Sequence, residues 1–251
     1  MKKVLLALVF FCAVASAAAQ ELVVAAAADL ASVFPEVTSR FEKETGKKVR
    51  VNFGSSGQFM LQIQNGAPFD VFFSADVSYP KKLEEAGLVE PGTLYKYAVG
   101  KLVLWVPNGS PLDLSQGMRV LQSPQVKRIA LANPQHAPYG RAAVEALKKE
   151  GLYEPLQSKF VLGENISQTA QFVQSGNADV GLVALSLAMG PAMKSSGRYV
   201  EVPAGDYTPL EQAAVVLKNS HDKQTAKQFM EFIRKPETVK LLASYGFVVP
   251  Q

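Results

Sequence analysis

Cysteine and histidine are nearly missing from this chain of 251 residues, which has one Cys, Cys12, and two His, His136 and His221. A single thiol excludes a disulfide scaffold, an iron–sulfur protein and a cysteine-rich zinc site. The two histidines are too far apart in sequence for a short metal-binding motif. Charged residues are sparse as well, at 19%. The pI is near 9.0, yet Lys and Arg are spread along the chain with no basic run interleaved with aromatics, so nucleic acid is not an expected partner. The G-x-S-x-G elbow, the Walker loop, G-x-G-x-x-G and H-E-x-x-H are all absent. His136 could serve as a base, and Asp70 and Asp76 could pair as carboxylates, which leaves a hydrolase open. Against it, a His in a proline-flanked loop is more often a surface or hinge residue, and Asp76 more readily caps the segment that follows it.

Long hydrophobic runs are missing too, with one exception at the start. Lys2 and Lys3 precede the apolar stretch Val4–Ala15, and Ser16-Ala17-Ala18-Ala19 supplies small residues. That order is the signature of a secretory leader over residues 1–19, cut before Ala18 or Gln20. The uncharged span Val4–Gln20 is short for a membrane crossing, and Phe11 before Cys12 does not suit a lipoprotein site. Cleavage would remove Cys12, leaving a thiol-free protein suited to an oxidising periplasm. Losing Lys2 and Lys3 also lowers the net charge from +4 to +2.

What remains is 48% apolar overall, enough core for one large domain or two modest ones. Its grammar is strand, short polar loop, helix, repeated. Leu22–Ala27 is an apolar run. Leu30, Val33, Phe34, Val37 and Phe41 then follow at helical spacing, closed by Gly46. Pro35 lacks an N–H, so this helix starts no earlier than about residue 31 or 32. Further strands are expected at 48–53, 69–74, 101–106, 128–132, 160–162, 178–185 and 213–217, with Trp105 in the core. Helices are expected from Phe59–Ile63 to a stop at Asn65-Gly66, over Arg141–Lys149, Ile166–Val173 and Thr225–Ile233, and from Pro236. Such alternation predicts an α/β fold with mostly parallel sheets.

Four strand-to-helix turns carry small or polar residues: Ala28-Asp29, Gly54-Ser55-Ser56-Gly57, Ala137-Pro138-Tyr139-Gly140 and Asn165-Ile166-Ser167. In parallel sheets these turns open at the carboxyl edge, where ligands bind, and helix N-termini there form a ready anion site. Gly54 and Gly57 would let backbone approach a ligand closely. For each serine alone, an N-cap role is as common as a ligand contact.

The turns do not stand alone. Val23–Leu30, Phe53–Gly57, Gly66–Asp76, Asn133–Gly140 and Tyr245-Gly246-Phe247, taken in order along the whole mature chain, resemble the periplasmic molybdate-binding proteins of ABC importers. The resemblance implies a two-lobed type II binding-protein fold, with two mixed sheets flanked by helices and joined by crossing hinge strands. Residues 20–97 with 212–251 would form one lobe and 98–211 the other. It implies oxyanion contacts at Asp29, at the Ser56 hydroxyl more than Ser55, at the backbones of Tyr139 and Ile166, and at a position held here by Ala184. Molybdenum would enter only inside molybdate, reached through its oxygens by Asp29, Ser56, Tyr139 and Ile166. A monomeric periplasmic receptor for molybdate or tungstate follows, with an inner-membrane ABC permease as partner, no catalytic residue and no cofactor.

Two positions depart from the family pattern. Ala184 has no hydroxyl, and Asp29 stands where a neutral Ser or Asn is usual, which leaves another oxyanion or a small organic acid open as ligand. A carboxylate about 5 Å from a dianion would be repelled by roughly 6–7 kcal/mol at an effective dielectric near 20. The Asp29 side chain is therefore expected to turn outward, leaving its backbone N–H to face the ligand. The alternative is an inward Asp29 that stays protonated or meets a donor group of the ligand, as on a protonated organic acid.

Overall fold

Short apolar runs separated by polar turns build two five-stranded mixed sheets flanked by helices, in a computed structural model that describes residues 21–249. The expected leader and its cleavage positions lie outside the described residues. The strands in chain order are β1 (Leu22–Ala27), β2 (Val49–Gly54), β3 (Val71–Ser74), β4 (Tyr95–Gly100), β5 (Leu102–Pro107), β6 (Ile129–Ala132), β7 (Phe160–Gly163), β8 (Val180–Ala184), β9 (Gly197–Glu201) and β10 (Leu210–Val216). The first sheet runs β2-β1-β3-β10-β4 and the second β7-β6-β8-β5-β9. In each, a central strand pairs parallel with two neighbours, β1 with β2 and β3, β6 with β7 and β8. One long-range strand then joins antiparallel, β10 against β3 and β5 against β8. β1 and β6 are buried along almost their whole length, as central parallel strands covered on both faces should be.

Helices α1 (Phe34–Thr45), α2 (Ser56–Gln64) and α3 (Ser78–Glu85) belong to the first lobe. The second lobe carries α4 (Pro138–Lys149), α5 (Tyr153–Leu156), α6 (Ile166–Gln174), α7 (Leu185–Ala188) and α8 (Pro191–Ser196). The chain then returns with α9 (Lys223–Arg234) and α10 (Pro236–Ser244) to cover the first sheet. A single 3-10 turn, Ala28–Leu30, links β1 toward α1, and Pro35 sits in the first turn of α1, where its missing N–H costs no hydrogen bond. The first lobe's core is aromatic: Phe34 stands edge-on to Phe73 and Phe41 to Phe229, each at 5.0 Å. The second is mainly aliphatic around Trp105, fully buried as expected.

The chain crosses between the sheets at Lys101, between β4 and β5, and returns over 202–209, between β9 and β10. The lobe limits anticipated at 97/98 and 211/212 therefore fall inside β4 and β10. Polar residues lie inside the strands as well as at the crossings, Lys96 in β4 and Glu211 and Gln212 in β10, so periodicity cannot mark where one sheet ends. β10 also begins at Leu210, ahead of the expected Ala213. β9, Gly-Arg-Tyr-Val-Glu, is an edge strand with little burial and no alternation to announce it.

Candidate functional site

The carboxyl ends of β1 and β2 face those of β6 and β7 across the gap between the lobes. The turns that follow these strands line one small cavity, with Asp29, Ser56, Tyr139 and Ile166 in its wall. Three helices begin there: α2 at Ser56, α4 at Pro138 and α6 at Ile166. Their first N–H groups have no intrahelical partners, and each N-terminus carries partial positive charge. Asp29 is the single ionisable carboxylate in the wall, and among the described residues no Lys, Arg or His lines it. The cavity thus offers neutral N–H and O–H donors from both lobes.

The two serines are used differently. The Ser56 hydroxyl accepts from the Ala75 N–H at 3.0 Å, and this leaves its own proton to donate into the cavity. Ser55 instead donates to the backbone carbonyl of His136, and His136 Nδ1 lies 2.9 Å from Ser55 Oγ. Since the hydroxyl proton goes to the carbonyl, Nδ1 is the donor in that second contact. Glu164 completes a group that looks like a hydrolytic triad, 3.5 Å from His136 Nε2. Its chemistry differs: Ser55 is buried and its proton is held by a carbonyl, so His136 cannot act as its base. The group spans both lobes and acts as a latch, joined by Gln58 donating to Glu164 at 3.0 Å and the Gly57 N–H donating to the His136 carbonyl at 3.0 Å. Arg141 makes a second latch, pairing with Asp76 and donating to Tyr79 Oη at 2.7 Å.

Asp29 corrects the expectation of an outward side chain. It is fully buried, and its Oδ2 accepts from Tyr139 Oη at 3.1 Å and from Gln212 Nε2 at 2.6 Å. Ser186 Oγ donates to the Asp29 carbonyl at 2.7 Å. The turn after β1 is roofed by α6 and α7 of the other lobe, so there is no solvent side to which the carboxyl could turn. Burial raises its pKa to about 6, against the lowering effect of the Gln212 and Tyr139 hydrogen bonds. Among the described residues Oδ1 has no hydrogen-bond partner. The Tyr139 and Tyr97 hydroxyls are pushed well above the usual tyrosine range, first by burial and then by the Asp29 charge.

Of the five expected contact positions, Asp29, Ser56, Tyr139 and Ile166 come together. Ala184 does not line the cavity; it is buried at the end of β8, opposite Leu102 of β5. Gly57 is also not in the wall. A Cβ there would lie 2.7 Å from the His136 carbonyl oxygen, so its smallness serves the meeting of the lobes rather than a ligand. Gln212 is the residue the sequence did not reveal. Its Oε1 accepts from Tyr97 Oη at 2.6 Å, and this turns Nε2 toward Asp29. Gly100 makes room for this group, because a Cβ there would overlap Tyr139 Oη. No local signal set these two residues apart, since Gln212 follows Glu211 and Gly100 precedes Lys101, as residues of an exposed turn would.

The profile of the bacterial extracellular solute-binding proteins matches residues 22–248. The chain is 43% identical to the molybdate-binding protein ModA of Rhodobacter capsulatus over 92% of its own length and 90% of the relative's. It is 42% identical to the ModA of Azotobacter vinelandii, over 92% and 91%. The solved structure of the periplasmic molybdate-binding protein of Azotobacter vinelandii superposes with a TM-score of 0.87 at 39% identity, covering 92% of this chain and all of that one.

Proposed function

Since the chain belongs to the family of bacterial extracellular solute-binding proteins, we propose that it is a periplasmic receptor for molybdate or tungstate. Its leader would be removed on export, and the loaded receptor would pass its cargo to the permease of an ABC importer. The lobes close about the crossings at Lys101 and 202–209. The oxyanion lies between them, contacted by Ser56, Asp29 and the backbones of Tyr139 and Ile166. It carries out no chemistry on the ion and needs no cofactor.

The observation that supports this most strongly is the convergence of three helix N-termini and the free Ser56 proton on one cavity without a cation. Fixed N–H and O–H dipoles replace the water shell of a tetrahedral anion. They favour a larger oxyanion because helices packed against two sheets cannot collapse onto a smaller one. The relatives named for molybdate binding point the same way. Calorimetric titration with molybdate, tungstate, sulfate and phosphate tests the reading. Molybdate and tungstate are expected to bind far more tightly than the other two, and equal affinity for sulfate would overturn the assignment.

A further inference from the structure

We propose that each bound oxyanion brings one proton with it, held on Oδ1 of Asp29 and donated to an oxygen of the ligand. The inference rests on the oxyanion-receptor reading and explains how a carboxyl can sit in such a cavity. The two oxygens of Asp29 are not equivalent. Oδ2 takes both protein donors, Tyr139 Oη and Gln212 Nε2, while Oδ1 is buried and, among the described residues, has none. An ionised Oδ1 beside a ligand oxygen would set acceptor against acceptor. A protonated one adds a donor to the cavity and removes the repulsion.

Among the described residues no neighbouring cation can do the same work. Tyr139 of α4 and Tyr97 of β4 are the titratable groups that face the Asp29 network, and both are neutral donors. Gln212 of β10 is neutral, and α6 and α7 contain no charged residue. Arg50 of β2 is exposed and pairs with Glu21. On the α4 side Arg141 is taken by Asp76 and Tyr79, and His136 by Ser55 and Glu164. The raised carboxyl pKa, about 6, means that taking a proton near neutral pH costs little. The balance is simple: carboxylate, one proton from solvent and the dianion become a carboxyl donating to the dianion. By linkage, affinity then rises as pH falls toward about 6 and levels off below it.

Molybdate titrations of the mature protein between pH 6 and 8.5, in buffers of different ionisation enthalpy, decide the matter. The expected result near pH 8 is uptake of about one proton per ion, with Kd rising about tenfold per pH unit above pH 7. Asp29→Asn should bind with no proton uptake and no pH dependence, because its amide donates from the same place. Wild-type binding that is flat with pH and independent of buffer would overturn the proposal and leave the receptor reading standing. Hydrogen phosphate bound more tightly than molybdate, and lost in Asp29→Asn, would also overturn it, by making the carboxylate an acceptor. Failure of every anion to bind at any pH would bring down the receptor reading and this inference together.

Discussion

The first sheet, β2-β1-β3-β10-β4, and the second, β7-β6-β8-β5-β9, share one strand order, yet their carboxyl edges present different chemistry. The first lobe contributes side chains: the Asp29 carboxyl and the Ser56 hydroxyl, with Ser55 held back as a latch. The second contributes mainly backbone. Pro138 opens α4 without an N–H, Tyr139 follows it, and Asn165 caps α6 by accepting from the Gln168 N–H. The Tyr139 side chain reaches across to the first lobe's carboxyl rather than outward. A shared topology sets where N–H groups converge, because helices begin at strand ends. Which residue occupies each turn then sets the charge of the site.

The largest effect that would test this asymmetry is on stability. Burial raises Asp29 to about 6 from 3.8, so the folded chain holds this proton more tightly than the unfolded one. The stability contributed by the protonated carboxyl is full below about pH 4 and is lost as pH rises through 6, a difference of about 3 kcal/mol. Asp29→Asn should therefore stabilise the unliganded protein by about that amount at pH 8 and by almost nothing at pH 4, in denaturant unfolding at both pH values. Equal gains at the two pH values would show that the first lobe's charge is not what distinguishes it.

Next in size is the Ser56 donor. Ser56→Ala should weaken molybdate binding by about 1.5–3 kcal/mol, roughly tenfold to a hundredfold, since a ligand oxygen loses a charge-assisted partner. Ser55→Ala should cost less, because its hydroxyl is engaged by His136. A larger loss in Ser55→Ala would mean that latching of the lobes, rather than donation from the first lobe, governs affinity.

Smallest is a change felt only where the lobes meet. In Gly57→Ala the new Cβ would press on the His136 carbonyl at 2.7 Å and on Tyr79 Oη at 2.9 Å. Affinity should fall by about 1 kcal/mol, roughly fivefold, while the melting temperature of the unliganded protein stays where it was. A matching drop in melting temperature would place the strain inside the first lobe, at Tyr79, and not between the two.

Most of the frame was legible in the residues. β1 is an unbroken apolar run and β3 and β8 are nearly so, and α1 and α9 carry one apolar face each. α2 starts at Ser56, three residues ahead of the expected Phe59, because the Ser-Gly of the break already belongs to its first turn. β9 was not legible, because an exposed edge strand has no face to bury and so no pattern. The ends of β4 and β10 were hidden because polar residues, Lys96 in one and Glu211 and Gln212 in the other, interrupt the apolar runs beside the crossings.

The sequence by itself determined the α/β alternation and the turns that carry the donors, because both are written in neighbouring residues and in the periods of strand and helix. Only the tertiary structure decided that Asp29 points inward, that Gln212 and Tyr139 hold it, and that Ala184 stays out of the wall. Those partners lie 183 and 110 residues from Asp29 along the chain. Whether a turn faces solvent or a roof depends on the other lobe, and no local pattern records what lies across the gap.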